Sequence, residues 1–435
     1  MRVLGVTQTC DLGSLYLRLI HAGHDVRISV SEPLASGTMR GLVPRTDDWR
    51  DELEWVRDAG SKGLILFEAV GFGELQGQLR SDGFNVIGGS RFGDRLESDR
   101  AFALQLLAQQ NLRAAHVIEF SNVADALADL AARPRRCVFK LSASAGETFV
   151  SSFEDGRDVA ALLNSRRQLA PEPFILMDFV AGVETGVGAY FNGDHFLKPA
   201  CLDWEHKRFF PGDMGELTGE MGTVATFEGS DAIFEATLAP LEPLLRQANH
   251  VGYVNLNTII NADGIWPLEF TCRFGYPGFA VLEPLQVPSW DQLFTAMITR
   301  SGGRFEVHPG FSLCVVLTTP PFPYSRHEVD AEVGYPLITG AVPIEHLHLG
   351  EVGLESGQLV TSGVYGWTAV VTGTGQTVAE AKAAAYENSR EVRAPNLRYR
   401  LDIGDKLISD ELRKLSDWGW LKFMPPSRMA SQIVR

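Results

Sequence analysis

Short apolar, β-branched runs alternate with amphipathic stretches over the first hundred residues. The alternation predicts strands over 2–6, 25–30, 63–67 and 85–87, with helices over 14–21 and 74–81. Strands separated by helices at this spacing form a parallel sheet covered on both faces. Ligands of such sheets bind at the carboxyl ends of the strands, which places the turns 7–11 and 68–73 at the first candidate site. From about residue 98 the pattern changes. A helix is predicted over 102–110, strands over 137–141 and 174–179 with a helix over 156–165 between them, and a strand over 185–192. After a charged loop come a helix over 231–250 and two apolar runs, 254–260 and 265–272. They flank Asn261-Ala262-Asp263-Gly264, a hairpin signal. A third unit begins near Phe305, with strands over 313–318, 361–366 and 368–372 and an Ala-rich helix over 378–386.

Composition agrees with an α/β enzyme of two to four domains: 435 residues, 45% hydrophobic and 21% charged. Lys and Arg total 39 against 54 Asp and Glu, and the net charge of -15 argues against nucleic-acid binding. No apolar segment is long enough for a spanning helix, and Met1-Arg2-Val3 runs into a strand rather than a signal peptide, so a cytoplasmic protein without a membrane partner is expected. Cys10, Cys137, Cys201, Cys272 and Cys314 are widely spaced and odd in number, the pattern of reduced buried thiols rather than of a disulfide or zinc framework. The dinucleotide pattern G-x-G-x-x-G is absent after the first strand, and no G-x-x-x-x-G-K-[ST] occurs, which argues against nicotinamide and P-loop chemistry.

Candidate chemistry concentrates in three places. Asp203-Trp204-Glu205-His206-Lys207-Arg208 leads into Gly212-Asp213-Met214-Gly215 and Thr218-Gly219-Glu220-Met221-Gly222. As a charge run it is a solvated loop; with its glycines it is also a place where backbone amides approach an anion and His, Lys and Arg supply donors. In Glu269-Phe270-Thr271-Cys272-Arg273, residues 269, 271 and 273 share one face of a strand. A carboxylate, a hydroxyl and a guanidinium there suit a magnesium-phosphate complex, and equally a structural Glu-Arg pair. Lys140 ends the run Cys137-Val138-Phe139 beside the small-residue loop Ser142-Ala143-Ser144-Ala145-Gly146, as a nucleotide-phosphate contact or a snorkelling strand-end lysine.

Taken in order, these segments resemble the glycinamide ribonucleotide synthetase (phosphoribosylamine:glycine ligase) family of the ATP-grasp superfamily, over nearly the whole chain. Val86-Ile87-Gly88-Gly89-Ser90 through Leu96-Glu97-Ser98-Asp99-Arg100-Ala101-Phe102 is similar to that family's entry into the nucleotide domain. Glu205-His206-Lys207-Arg208 and Thr218 to Gly222 resemble its Asp-His-Lys-Arg and Thr-Gly-Gly-Met-Gly loops, and Glu269 to Pro277 its Glu-Phe-Asn-Cys-Arg-Phe-Gly-Asp-Pro. Thr361-Ser362-Gly363-Val364, Glu380-Ala381 and Arg400-Leu401-Asp402-Ile403-Gly404 are similar to its closing domain.

The resemblance implies an N-terminal parallel-sheet (pre-ATP-grasp) domain over 1–97, a split ATP-grasp fold with a central part over 98–114 and 184–304 and a lid over 115–183 that closes on nucleotide, and a C-terminal α/β closing domain over 305–435. It implies ATP and Mg²⁺, small-molecule carboxylate and amine substrates, and a monomer or homodimer. By matched position Arg100 and Lys140 would contact the ATP phosphates, with Arg100 in place of the family's lysine. Met177, Asp178 and Val180 would form the adenine hinge, and Glu184 would accept the ribose hydroxyls. Glu269 and Thr271 would hold Mg²⁺, Arg273, Lys207 and Arg208 would serve catalysis, and Glu205, His206, Asp213, Glu220, Thr9 and Glu68 would line the substrate site.

Departures from the family pattern cluster chiefly where the acceptor should bind, with others at the family's mobile phosphate loop and the metal. Thr7-Gln8-Thr9-Cys10-Asp11-Leu12-Gly13-Ser14 replaces a Gly-Gly-Arg-Glu-His-like loop and lacks its arginine. Phe67-Glu68-Ala69 replaces Gly-Pro-Glu, Gly146-Glu147-Thr148 replaces Gly-Lys-Gly, Thr271 replaces the metal-binding Asn, and Glu220 adds an acid. These changes fit a carboxylate-amine ligase with an altered acceptor site. The other readings are a genuine phosphoribosylamine:glycine ligase that binds phosphate through Thr7, Thr9 and Ser14, and a catalytically degenerate ATP-binding protein, favoured by Arg100, Glu147 and Thr271.

Overall fold

The computed structural model describes residues 1–110, 112–141, 148–165 and 173–422, so the small-residue loop 142–146 and Glu147 lie outside the described residues. The chain divides into two units: Met1–Gln110, Glu184–Thr258 and Leu268–Arg435 form the first, and Asn111–Val183 with Ile259–Pro267 the second.

In the first unit, β1 (Arg2–Thr7), β2 (Asp25–Val30), β3 (Gly63–Phe67) and β4 (Val86–Ile87) form a parallel sheet in the order β2-β1-β3-β4. All of β3 and nearly all of β1 is buried, as a parallel sheet covered on both faces requires. Because β2 and β3 flank β1 on opposite sides, the chain leaves the carboxyl ends of β1 and β3 in different directions, and the loop after β1 meets Glu68 there.

A larger sheet orders its strands Gly264–Thr271, Gly252–Asn261, Val183–Phe191, Phe196–Glu205, Gly222–Thr226, Phe311–Thr318, Trp367–Gly375 and Leu347–Leu349. Ala262-Asp263 makes the tight turn between its first two strands and Gly264 opens the strand that follows, within the hairpin signal 261–264. The helix Val378–Glu391 is started by a capping box of Thr377 and Glu380 and packs on Trp367–Gly375. Gly373 permits this approach: a Cβ there would sit 2.2 Å from the Ala385 nitrogen. All five cysteines are buried and unpaired.

The second unit has its own antiparallel sheet, ordered Val117–Phe120, Phe174–Asp178, Cys137–Leu141, Thr148–Val150. Helices Val123–Ala132 and Arg157–Ser165 close a core of Phe120, Leu130, Phe139, Leu163, Phe174 and Leu176.

Two expectations need correction. The helix expected over 231–250 is broken into Asp231–Thr237, a 3-10 turn Ala239–Leu241 and Glu242–Gln247. Pro240 and Pro243 lack the N–H that a continuous helix needs and so each sits in the first turn of a new one. The strand expected over 361–366 ends at Thr361. Gly363 and Gly366, both at φ +84°, turn the chain instead around the buried carboxylate of Glu351.

Candidate active site

The site is built on four neighbouring strands of the larger sheet, from Gly264–Thr271 to Phe196–Glu205. Asp203 and Glu205, two residues apart on Phe196–Glu205, point the same way. Asn255 Nδ2 donates to Asp203 Oδ2 at 2.6 Å, and Asn257 Nδ2 to Glu205 Oε2 at 3.0 Å. Gly186, opposite Asp203 on the third strand, leaves room for that carboxylate, since a Cβ there would lie 2.1 Å from Asp203 Oδ1. The two asparagines escape sequence reasoning because they lie inside the run 254–260, where an apolar average conceals the alternation of 255 and 257.

Lys207 follows directly. Its Nζ lies 3.0 Å from Glu205 Oε2, 3.0 Å from Glu269 Oε1 and 3.5 Å from Glu184 Oε1. Burial opposes the ammonium charge, but Glu205, Glu269 and Glu184 outweigh it and hold Lys207 well above the usual lysine value. Burial raises Glu184 while Lys207 opposes the rise. Asp203 is pushed up to about 7, by burial first and by Glu205 next. Glu220, 7% exposed, is raised well above the carboxylate range by burial, then by Glu205 and Asp203. Arg100 is lowered by burial and lifted by Glu269. The fold thus gathers Arg100, Glu184, Glu205, Lys207, Glu220 and Glu269 from four separate stretches of sequence.

Arg273 is held by Glu97, whose Oε1 takes Arg273 Nε at 3.1 Å and whose Oε2 takes the Cys272 N–H at 2.8 Å. Thr271, half-buried, ends the strand that carries Glu269. His206, Arg208 and Asp213 gather instead around Arg400, which is fully buried. Arg400 donates to Asp402, to Asp213 Oδ1 at 2.8 Å and to the Arg208 carbonyl at 3.0 Å. Arg208 itself donates to the Gly215 carbonyl. His206 Nε2 accepts the Gly404 N–H at 3.1 Å, and burial followed by Arg400 lowers it to about 4. The charged run is therefore a pinned hairpin: Thr218 closes on the Lys207 carbonyl at 2.8 Å and Met221 on that of His206 at 2.8 Å.

At the carboxyl ends of β1 and β3, Glu68 accepts the hydroxyls of Thr7 at 2.7 Å and Tyr16 at 2.6 Å and the Leu12 N–H at 3.3 Å. Its carboxylate shapes the loop from within and is pushed up to about 7, chiefly by burial and then by Asp11. Thr9 donates to Asp11 Oδ1 at 2.6 Å. Within the second unit, Lys140 lies on Cys137–Leu141, paired with Ile175 and Thr148. Met177 is buried, Asp178 takes Arg135 Nε at 2.7 Å, and Val180 lies in the turn that follows.

Among the described residues no group of three His, Cys, Asp or Glu side chains is arranged to hold a metal ion by itself. Mg²⁺ delivered on a nucleotide needs only one or two carboxylates besides phosphate oxygens and water, and Glu269, with Glu184 and Glu205 beside it, fits that lesser demand. Among the described residues no helix is long and apolar enough to cross a membrane.

Residues 98–279 match the family described as phosphoribosylglycinamide synthetase, ATP-grasp (A) domain. The phosphoribosylamine–glycine ligase of a Nostoc species is 29% identical over 384 residues, 83% of this chain and 88% of the relative. That of Listeria innocua is 27% identical over 375 residues, 80% and 86% of the two chains. The crystal structure of phosphoribosylamine–glycine ligase from Thermotoga maritima has a TM-score of 0.65 at 20% identity and covers 93% of this chain and 100% of that one. N5-carboxyaminoimidazole ribonucleotide synthetase from Thermus thermophilus gives 0.56 at 15%, covering 89% and 98%. The chain shares the fold of these two solved structures.

Proposed function

We propose, from the premise that this chain is a divergent relative of the glycinamide ribonucleotide synthetases and carries their ATP-grasp domain, that it is an ATP-dependent ligase joining a carboxylate to an amine through an acyl phosphate, with an acceptor site altered from that of its relatives. The observation that carries the proposal is the Lys207 ammonium set among Glu184, Glu205 and Glu269, with Arg100 beside Glu269.

Moving a phosphoryl group from one anion to another asks the protein mainly for position and positive charge. ATP supplies the phosphoryl group that makes the carboxylate electrophilic, and Mg²⁺ neutralises phosphate charge. Lys207 keeps its proton throughout, because its carboxylate neighbours hold it charged, so it is a fixed cation and not an acid or base. Arg273, oriented by Glu97, is a second fixed cation. Glu269 and Thr271 are the proposed oxygen donors to metal, and Glu184 and Arg100 the proposed nucleotide contacts of the first unit. Lys140, Met177, Asp178 and Val180 are those of the second. His206, Arg208 and Asp213 act by position: the Arg400 cluster holds the hairpin that presents Lys207.

An altered acceptor site is supported by the loop after β1, which offers Asp11 and the internally bonded Glu68 where the relatives' arginine would bind phosphate. The test is to incubate the protein with Mg-ATP and pooled amino acids and amines, including glycine with fresh phosphoribosylamine, and to follow ADP and new amides by mass spectrometry. ADP with a new amide other than glycinamide ribonucleotide is expected. Glycinamide ribonucleotide alone would return the chain to its relatives' activity, and bound but unconsumed ATP across the panel would defeat the ligase proposal.

A further inference from the structure

Beyond Arg273 the chain reaches Tyr276, whose ring stacks on Trp367 with centroids 5.1 Å apart and planes 26° apart; Trp367 packs in turn on Tyr365 at 5.0 Å. Glu351 holds this aromatic wall in place. Its carboxylate, 3% exposed, accepts the backbone N–H groups of Val364 at 2.8 Å, Tyr365 at 2.9 Å, Trp367 at 3.2 Å and Gly366. Glu351 is therefore satisfied within the fold, while Tyr276, Tyr365 and Trp367 keep accessible surface.

Acids surround the wall. Asp11, Glu220 and Glu351 act electrostatically on the Tyr276 phenol, and Asp11, Glu351, Glu32 and Glu328 on that of Tyr365. Of the guanidinium groups nearby, Arg273 Nε is taken by Glu97 at 3.1 Å and Arg326 by the carbonyls of Leu34 and Gly363, while Arg45 Nε and Nη2 have no partner among the described residues. A second observation, independent of this charge count, points to a ligand. Glu220 is 7% exposed, yet among the described residues its Oε1 has no hydrogen-bond partner, and the Tyr276 hydroxyl and Trp367 Nε1 are also buried without one. Buried polar atoms are almost always paired, and an orphaned carboxylate oxygen calls for a donor. Asp11 accepts the Thr9 hydroxyl on Oδ1, and Arg273 acts on it electrostatically.

We infer that this aromatic and acidic cluster binds a small organic ammonium cation, with Tyr276, Tyr365 and Trp367 offering π faces and Asp11 and Glu220 offering carboxyl oxygens whose ionisation the bound cation itself favours, and that it seats the amine co-substrate. A phosphate placed here would meet carboxylates; an ammonium group meets both its counter-charge and ring quadrupoles. The role as co-substrate rests on the ligase proposal, in which the ammonium gives a proton to a neighbouring carboxylate and the free amine attacks the acyl phosphate as phosphate leaves, whereas binding of the cation does not rest on it.

The test is isothermal titration of the full chain at low salt with 1,4-diaminobutane and, separately, ribose 5-phosphate. Saturable diaminobutane binding is expected, weakened roughly tenfold to a hundredfold by Asp11→Asn or by Trp367→Leu, with Mg-ATP binding retained as the check on folding. Binding of ribose 5-phosphate without diaminobutane would overturn the inference and assign the region to an anion held by Arg45, whose Nε and Nη2 are buried without partners among the described residues. Diaminobutane binding unchanged in both variants would overturn it too. ADP release measured in parallel separates the two proposals: cation binding without turnover of any carboxylate defeats the ligase proposal alone, and turnover with phosphoribosylamine but no cation binding defeats this one alone.

Discussion

The Lys207 ammonium lies 3.0 Å from the Glu269 carboxylate, across 62 residues of sequence. Neither residue is remarkable in isolation; together with Glu184 and Glu205 they make a mixed-charge centre in which each acid is tolerated because one cation answers all of them.

Replacing Lys207 with Met leaves those carboxylates without their shared counter-charge and removes a fixed cation from the site of phosphoryl transfer. Ligation is expected to fall about a hundredfold to a thousandfold, as when a preorganised donor to developing charge is lost. Lys207→Arg should recover part of the rate. Steady-state ADP release from both variants checks this, and near-wild-type turnover by Lys207→Met would remove the residue from the mechanism.

Glu351→Gln exchanges a charged acceptor of backbone N–H groups for an amide with one acceptor oxygen and two donors that face other donors. A loss of about 1.5–3 kcal/mol is expected, the range for hydrogen bonds to a charged group. The urea midpoint at constant slope reads it directly, and an unchanged midpoint would show that the loop 364–367 holds its shape without the carboxylate.

His206 sets a pH dependence. Its Nε2 accepts the Gly404 N–H, so the fold needs the neutral ring, and its folded value of about 4 lies below the ordinary imidazole value. The unfolded chain therefore binds more protons between about pH 6.5 and 4, and stability rises with pH there. The contribution is complete above about pH 6.5 and is lost as pH falls through the folded value; it amounts to about 3 kcal/mol. In His206→Gln, whose side-chain oxygen can still accept from Gly404, the difference between urea midpoints at pH 7 and pH 5 should shrink. An undiminished difference would place the titration elsewhere.

Arg400→Met should destabilise the protein by about 3 kcal/mol, because Asp402 and Asp213 then face each other's charge and the Arg208 carbonyl loses its donor. Adding Asp402→Asn should restore part of the loss. A double variant no more stable than the single one would mean that guanidinium packing, not charge, is what counts.

The local grammar of the chain fixes much of the fold. The buried runs of β1 and β3, the Ala262-Asp263 turn and the Thr377–Glu380 capping box each depend on a few neighbouring residues, so their periodicity and turn chemistry are readable without tertiary information. The exceptions are physical too. Pro240 and Pro243 break a helix whose apolar pattern continues through them, and the apolar signal at 361–366 belongs to a turn folded round Glu351, an acid some ten residues away that no local window includes.

Charged residues of the candidate site are visible in the sequence as types, in Glu205 to Arg208 and Glu269 to Arg273, but their division of labour is not. Strand order alone decides that Lys207 turns to Glu184 and Glu269 while its neighbours His206 and Arg208 join Arg400, and that Asn255 and Asn257 brace Asp203 and Glu205. Sequence thus determined the alternating elements, the charge balance and the residue types available for chemistry, because those follow from nearest-neighbour periodicity. Tertiary structure decided which acid faces which cation and which carboxylate is satisfied within the fold, because electrostatic energy depends on distance in space and on burial, and neither is a property of position along the chain.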